Sequence, residues 1–169
     1  VIDCTFDISS SLKDRIESIR EEAETSVREG STCLVLSDKN ITNQKASIPS
    51  ILIVGAVHSH LVKLGLRGYC SLNVECSDAL DTHSFAVLIG VGATTVNPYL
   101  AIDSIYQRFE KKLFGKSDFE TCVKKFKKSI DAGLLKIMSK MGISVISSYR
   151  GGFNFEAVGL SRAIVSDYF

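Results

Sequence analysis

The sequence predicts an α/β protein built of parallel βα units. Short β-rich apolar runs alternate with stretches of helical periodicity, and the helical stretches are long enough to serve as crossovers between parallel strands. Ser, Asp and Gly punctuate the ends of those stretches. Periodicity alone leaves two arrangements open, a doubly wound sheet or an incomplete (β/α) barrel. A chain of 169 residues can bury one sizeable core, and Val1–Phe169 reads as a single α/β domain. With no methionine at its start, it is expected to be a piece of a larger polypeptide.

Val1–Phe6 is a possible short strand, after which Ser9–Ser11 offer an N-cap to a helix over Leu12–Arg28. Leu12, Ile16, Ile19, Ala23 and Val27 recur at helical spacing in it, and Gly30 closes it. Thr32–Leu36 reads as a buried parallel strand ending in the polar loop Ser37–Asn40. Ser47 is the expected cap and Pro49 a first-turn residue of a helix over Ile51–Leu64, which Gly65 ends. Tyr69–Glu75 is the second of the parallel strands, Asp81–Gly90 a short helix, and Thr94–Val96 a third strand stopped by Asn97-Pro98. A helix follows from Tyr99 to about Lys112, and Phe114–Ser117 is a turn. Asp118–Met141 is a long helix striped by Phe119, Val123, Phe126, Ile130, Leu134, Ile137 and Met141. Beyond Gly142, a fourth strand is expected over Ile143–Ser147, a turn at Arg150-Gly151-Gly152, a helical turn over Asn154–Val158 and a last helix over Ser161–Tyr168.

Composition narrows the function. Twenty basic against nineteen acidic side chains give no electrostatic case for nucleic acid or an anionic membrane. The longest apolar run, Ile51–Val57, is far too short to span a bilayer. Five cysteines, an odd number without CxxC spacing, read as thiols in a reducing compartment and not as a disulfide framework or zinc ribbon.

The chemical motifs are weak one by one. His58 and His60 are two apart on a helix and point to nearly opposite sides, so with His83 they read as structural histidines. Gly90–Thr95 resembles a dinucleotide fingerprint but has Thr95 in place of the third glycine and precedes a strand. Phe114-Gly115-Lys116-Ser117 has no strand before it and reads as a surface turn, not a phosphate loop. Lys124, Lys125, Lys127 and Lys128 read as a solvated helix face. Asp38, Glu75, Asp78 and Asn97 fall at the C-terminal ends of three strands, the edge where such sheets place ligands. That edge nevertheless lacks the glycines through which backbone N–H groups approach a phosphate, and it ends in Asn97-Pro98. Arg150-Gly151-Gly152, with Lys136 and Lys140, could cradle an anion but reads better as a structural turn with lysines complementing a helix dipole.

Longer stretches carry more. Leu36-Ser37-Asp38, Ile48-Pro49-Ser50, Val54–His58, Gly65-Leu66-Arg67, His83–Ala86, Val96–Ala101 and above all Gly133–Leu160 resemble the central domain of the large subunit of glutamate synthase, in its C-terminal half. The chain departs from that pattern at Lys39, Ser59 and Ser84, where the family tends to carry arginine, histidine and histidine. The resemblance implies a degenerate (β/α) barrel-like domain between a glutaminase domain and a barrel carrying FMN and an iron–sulfur cluster. It implies no cofactor on this piece, the other domains of the polypeptide as partners, neither nucleic acid nor membrane, and a cytoplasmic or plastid location. It further implies a non-catalytic scaffold that could line part of an ammonia path. Asp38, His58, His60, Asn97, Pro98, Arg150, Gly151 and Gly152 are then structural or interface candidates. The alternatives are an independent FMN- or phosphate-binding enzyme acting through Asp38, Glu75 and Asn97, and an interaction module using the Lys124–Lys128 face.

Overall fold

A computed structural model describes residues 1–152 and 154–169. Four parallel strands form its main sheet: β1 (Ile2–Asp3), β3 (Cys33–Ser37), β5 (Ser71–Glu75) and β6 (Thr95–Asn97), side by side in that order. Between β1 and β3 the chain forms β2 (Thr5–Asp7), which pairs antiparallel with β4 (Lys45–Ser47) in a separate two-stranded sheet. The single strand expected over Val1–Phe6 is thus two, β1 and β2, and Lys45–Ser47 adds a strand the sequence does not announce; three-residue strands are too short for a period-two pattern to register. The main strands lie in chain order without reversal, so no topological switch point interrupts the sheet. That order is consistent with consecutive strands of a degenerate (β/α) barrel.

The helices are α1 (Leu12–Arg28), α2 (Ser50–Lys63), α3 (Thr82–Gly90), α4 (Tyr99–Glu110), α5 (Phe119–Lys140), α6 (Ile146–Tyr149) and α7 (Arg162–Tyr168). Ser11, Asp81, Asp118 and Ser161 each accept the backbone N–H three residues on, supplying the caps of α1, α3, α5 and α7. Helix α2 is different. Ser47 lies in β4 and Pro49 is the N-cap residue, which offers no side-chain acceptor; Asp78, from the loop after β5, takes that role by accepting from Ser50 N at 3.0 Å.

The two faces of the sheet have different chemistry. Leu34 pairs with Leu72, and Leu36 with Val74 beside Val96; these residues enter the core with Ile16, Ile19, Ala23, Ile53, Val57 and Leu61 from α1 and α2. The other face carries rows of polar side chains. In one row Thr95 Oγ1 donates to Asn73 Oδ1 at 2.6 Å and Asn73 Nδ2 reaches Cys33 Sγ at 3.0 Å; in the next, Ser37 and Asn97 both donate to Glu75.

The C-terminal segment corrects two expectations. Ile143–Ser147 is not a strand: Gly142 turns the chain at φ +70°, Ile143 N bonds back to Met138 O at 2.9 Å, and helix α6 begins at Ile146. Val145 and Ile146 are exposed, and the buried anchor of the stretch is Tyr149, whose hydroxyl donates to Ala86 O at 3.0 Å. Asn154–Val158 is irregular and not a helical turn, its path set by Asn154 Nδ2 donating to Tyr149 O and by Phe155 packing edge-on against Tyr149. Helix α7 then returns to the start of the chain. Arg20 donates to Asp167 O and lies over the Tyr168 ring at 5.0 Å, while Phe169 covers Gly55 so closely that a Cβ there would overlap its ring.

Candidate functional site

The C-terminal edge of the sheet brings Asp38, Glu75, Asp78, Asn97 and Pro98 together, as the strand ends require. Register places Ser37 beside Glu75 and Glu75 beside Asn97. Glu75 accepts from Lys39 Nζ at 2.6 Å, Ser37 Oγ at 2.8 Å and Asn97 Nδ2 at 3.1 Å. Lys39, with those donors, holds its carboxyl below the ordinary range despite partial burial. Asp38, only 5% exposed, accepts from Ser77 N at 3.0 Å and Ser77 Oγ at 2.7 Å, both at Oδ2. Asp78 accepts from Ser50 N and, at 2.6 Å, Ser50 Oγ. Tyr99 faces Asp38 and Ser77, and burial followed by the Asp38 carboxylate pushes its phenol up to about 12.

Backbone donors at this edge are committed as well. Asp38 N bonds Glu75 O at 3.2 Å and Cys76 N bonds Asn97 O at 3.1 Å, while Ser50 N and Ser77 N serve carboxylates. An incoming phosphate would meet three carboxylates and find these N–H groups taken, so the residues here do not fit the phosphate of FMN. The cavity under the edge measures about 10 Å³, lined by Cys4, Leu36, Asp38, Ile48, Ser50, Ile53, Val74, Glu75 and Cys76.

His58, Arg150 and Gly151 meet at the opposite edge, around Arg67. Arg67 sits in a single helical turn, Arg67–Tyr69, just before β5. Its guanidinium donates to Cys70 O at 2.6 Å, Gly92 O at 2.8 Å, Thr94 Oγ1 at 3.3 Å and, through Nε, His58 Nδ1 at 3.1 Å. Accepting at Nδ1 leaves the neutral ring's proton on Nε2. Burial first, then the charges of Arg67 and Arg150, pull the His58 pKa down to about 4. Gly92 lies against His58 at φ +126°, where an added Cβ would overlap the imidazole; Gly151, at φ +67°, lies on the ring's other side. Gly152 closes its own turn through Gly152 N to Tyr149 O at 3.2 Å. The sequence marks Arg67 in two ways, as a charged residue inside an otherwise apolar Leu64–Cys70 stretch and as part of the Gly65-Leu66-Arg67 stretch that carries the family resemblance, but neither assigns it partners.

His60 is remote from this group and pairs with Glu24 at 3.1 Å. Lys136, Lys140 and the Lys124–Lys128 cations other than Lys124 carry no ion pair among the described residues; Lys124 pairs with Glu120 at 2.7 Å. No group of three or more His, Cys, Asp or Glu is arranged to hold a metal among the described residues. No helix among them is long and apolar enough to cross a membrane.

Comparison with known proteins fixes the family. A family model described as the glutamate synthase central domain matches residues 1–161. This chain belongs to the glutamate synthase central-domain family. It is 55% identical to the large chain of the NADPH glutamate synthase of Azospirillum brasilense, over 99% of this chain and 11% of that protein. The corresponding chain of Bacillus subtilis is 43% identical over 99% of this chain and 11% of its own length. A ferredoxin-dependent glutamate synthase of Pyropia yezoensis is 42% identical over 92% of this chain and 11% of its own. The chain therefore spans about a tenth of the length of the curated relatives it matches. Both NADPH- and ferredoxin-dependent relatives carry this domain, so it does not distinguish the electron donor.

Proposed function

We propose that this domain is a non-catalytic central scaffold of a glutamate synthase large subunit, joining and orienting a glutaminase domain and an FMN-bearing synthase domain of the same polypeptide. The observation that carries the reading is the self-satisfied C-terminal strand edge. At the position where a (β/α) protein keeps donors and space for a ligand, Asp38, Glu75 and Asp78 consume the available donors, and the space beneath them is about 10 Å³. The polar face of the sheet supports the same role, because parallel sheets are ordinarily covered on both faces and among the described residues α1 and α2 pack on the apolar one.

On this reading the chain binds FMN no better than an unrelated protein. Titrating the purified chain with FMN should leave the flavin's fluorescence and absorption unchanged. Saturable quenching that Glu75→Ala abolishes would instead establish the independent flavin- or phosphate-binding enzyme.

A further inference from the structure

We propose that the small cavity beneath the β3–β5 strand ends is a built site for one water molecule, which donates a hydrogen bond to Asp38 Oδ1. The inference is independent of the scaffold reading. Asp38 is 5% exposed, and its two oxygens are treated unequally. Oδ2 accepts two hydrogen bonds from Ser77, whereas Oδ1 is buried and no group among the described residues donates to it. The Tyr99 hydroxyl lies close enough to the Asp38 carboxylate for the two to interact, which helps to raise its pKa, but by distance and angle it completes no hydrogen bond to Oδ1. A buried carboxylate oxygen left without a donor costs free energy that the surrounding core does not return.

Asp38 also lines the cavity, whose volume of about 10 Å³ sits at the lower limit for a single water and excludes anything larger. A water there needs two to four polar partners. Besides Asp38, the lining includes Ser50, whose hydroxyl proton goes to Asp78 and whose lone pairs remain, and Cys76, whose thiol is a weak donor that burial keeps protonated. Leu36, Ile48, Ile53 and Val74 close the rest. A cation of the same size, such as ammonium, could also donate to Oδ1. The lining argues against it: Leu36, Ile48, Ile53 and Val74 offer no acceptors, so an ion desolvated there would leave some of its four N–H donors unpaired. The site thus selects a neutral donor and, through it, ties β3 to the start of α2.

The test is a high-resolution crystal structure of the intact protein, from crystals grown once in sodium salts and once with thallous ion replacing the monovalent cation. The expected result is one density peak at about 2.7–3.0 Å from Asp38 Oδ1 in both, without thallium anomalous signal. Val74→Ile, which extends a methyl into the cavity, should remove that peak while the Ser77 hydrogen bonds stay. An anomalous peak would overturn the neutral guest in favour of a cation. No peak, with the Tyr99 hydroxyl moved onto Oδ1, would overturn the site altogether.

Discussion

The two edges of the sheet solve the same problem with opposite charge. At the C-terminal edge, three carboxylates gather donors: Ser77 for Asp38, Lys39, Ser37 and Asn97 for Glu75, and Ser50 for Asp78. At the N-terminal edge, one guanidinium distributes donors to two carbonyls, a hydroxyl and an imidazole. The first arrangement is distributed over short loops and partly exposed; the second hangs on one arginine and depends on backbone at Gly92 and Gly151 approaching His58 closely. Redundant partners tolerate loss, whereas a hub does not. The acidic edge looks more like a site, yet the basic edge is where the fold is vulnerable.

That asymmetry orders the effects of substitution. Gly92→Ala should be the most damaging, because the new Cβ meets His58 and the backbone stays at φ +126°; a loss of about 3 kcal/mol or more, or failure to fold, is expected in urea unfolding. Arg67→Met should follow at roughly 3 kcal/mol, since the aliphatic replacement fills the space and abandons four acceptors. If it melts like the parent, the hub description is wrong.

The third effect is one of pH. His58 has a folded pKa of about 4, below its unfolded value, so the unfolded chain takes up the proton first as pH falls. Stability from this group is complete above the unfolded pKa of about 6.5 and declines as pH drops towards 4, by on the order of 2 kcal/mol after allowing for partial exposure. His58→Gln should flatten the denaturant midpoint across that window. Glu75→Gln at the other edge should be mildest, near 1 kcal/mol at neutral pH, because its Lys39 partner is half exposed and Gln keeps an acceptor. A larger loss for Glu75→Gln than for Arg67→Met would reverse the comparison.

Much of this was legible in the residues. Helices α1 and α5 announce themselves through apolar spacing, α2 through its apolar run between Pro49 and Gly65 and α4 through the Asn97-Pro98 stop before it, and β3, β5 and β6 through apolar runs between them. What failed did so for local reasons. Ile143–Ser147 has the composition of a strand, but Gly142 folds it back onto the end of α5 and Tyr149 provides the burial that Val145 and Ile146 do not. The α2 cap was misassigned to Ser47 because its true acceptor, Asp78, lies 28 residues away in sequence. The acidic cluster could be placed from strand ends alone. Arg67, by contrast, draws its partners from Cys70, Gly92, Thr94 and His58, a convergence that only tertiary structure reveals.

The clasp of α7 over the opening helices has a consequence in time. Arg20 finds Asp167 only after 147 further positions have been synthesised, which at about 5–20 residues per second is a delay on the order of ten seconds. Until then the groove at Gly55 is bare and the Arg20 guanidinium lacks its ring and its carbonyl. The first helices of this domain to be made are thus among the last to be sealed, and a nascent chain paused shortly before Arg162 would present that groove to chaperones.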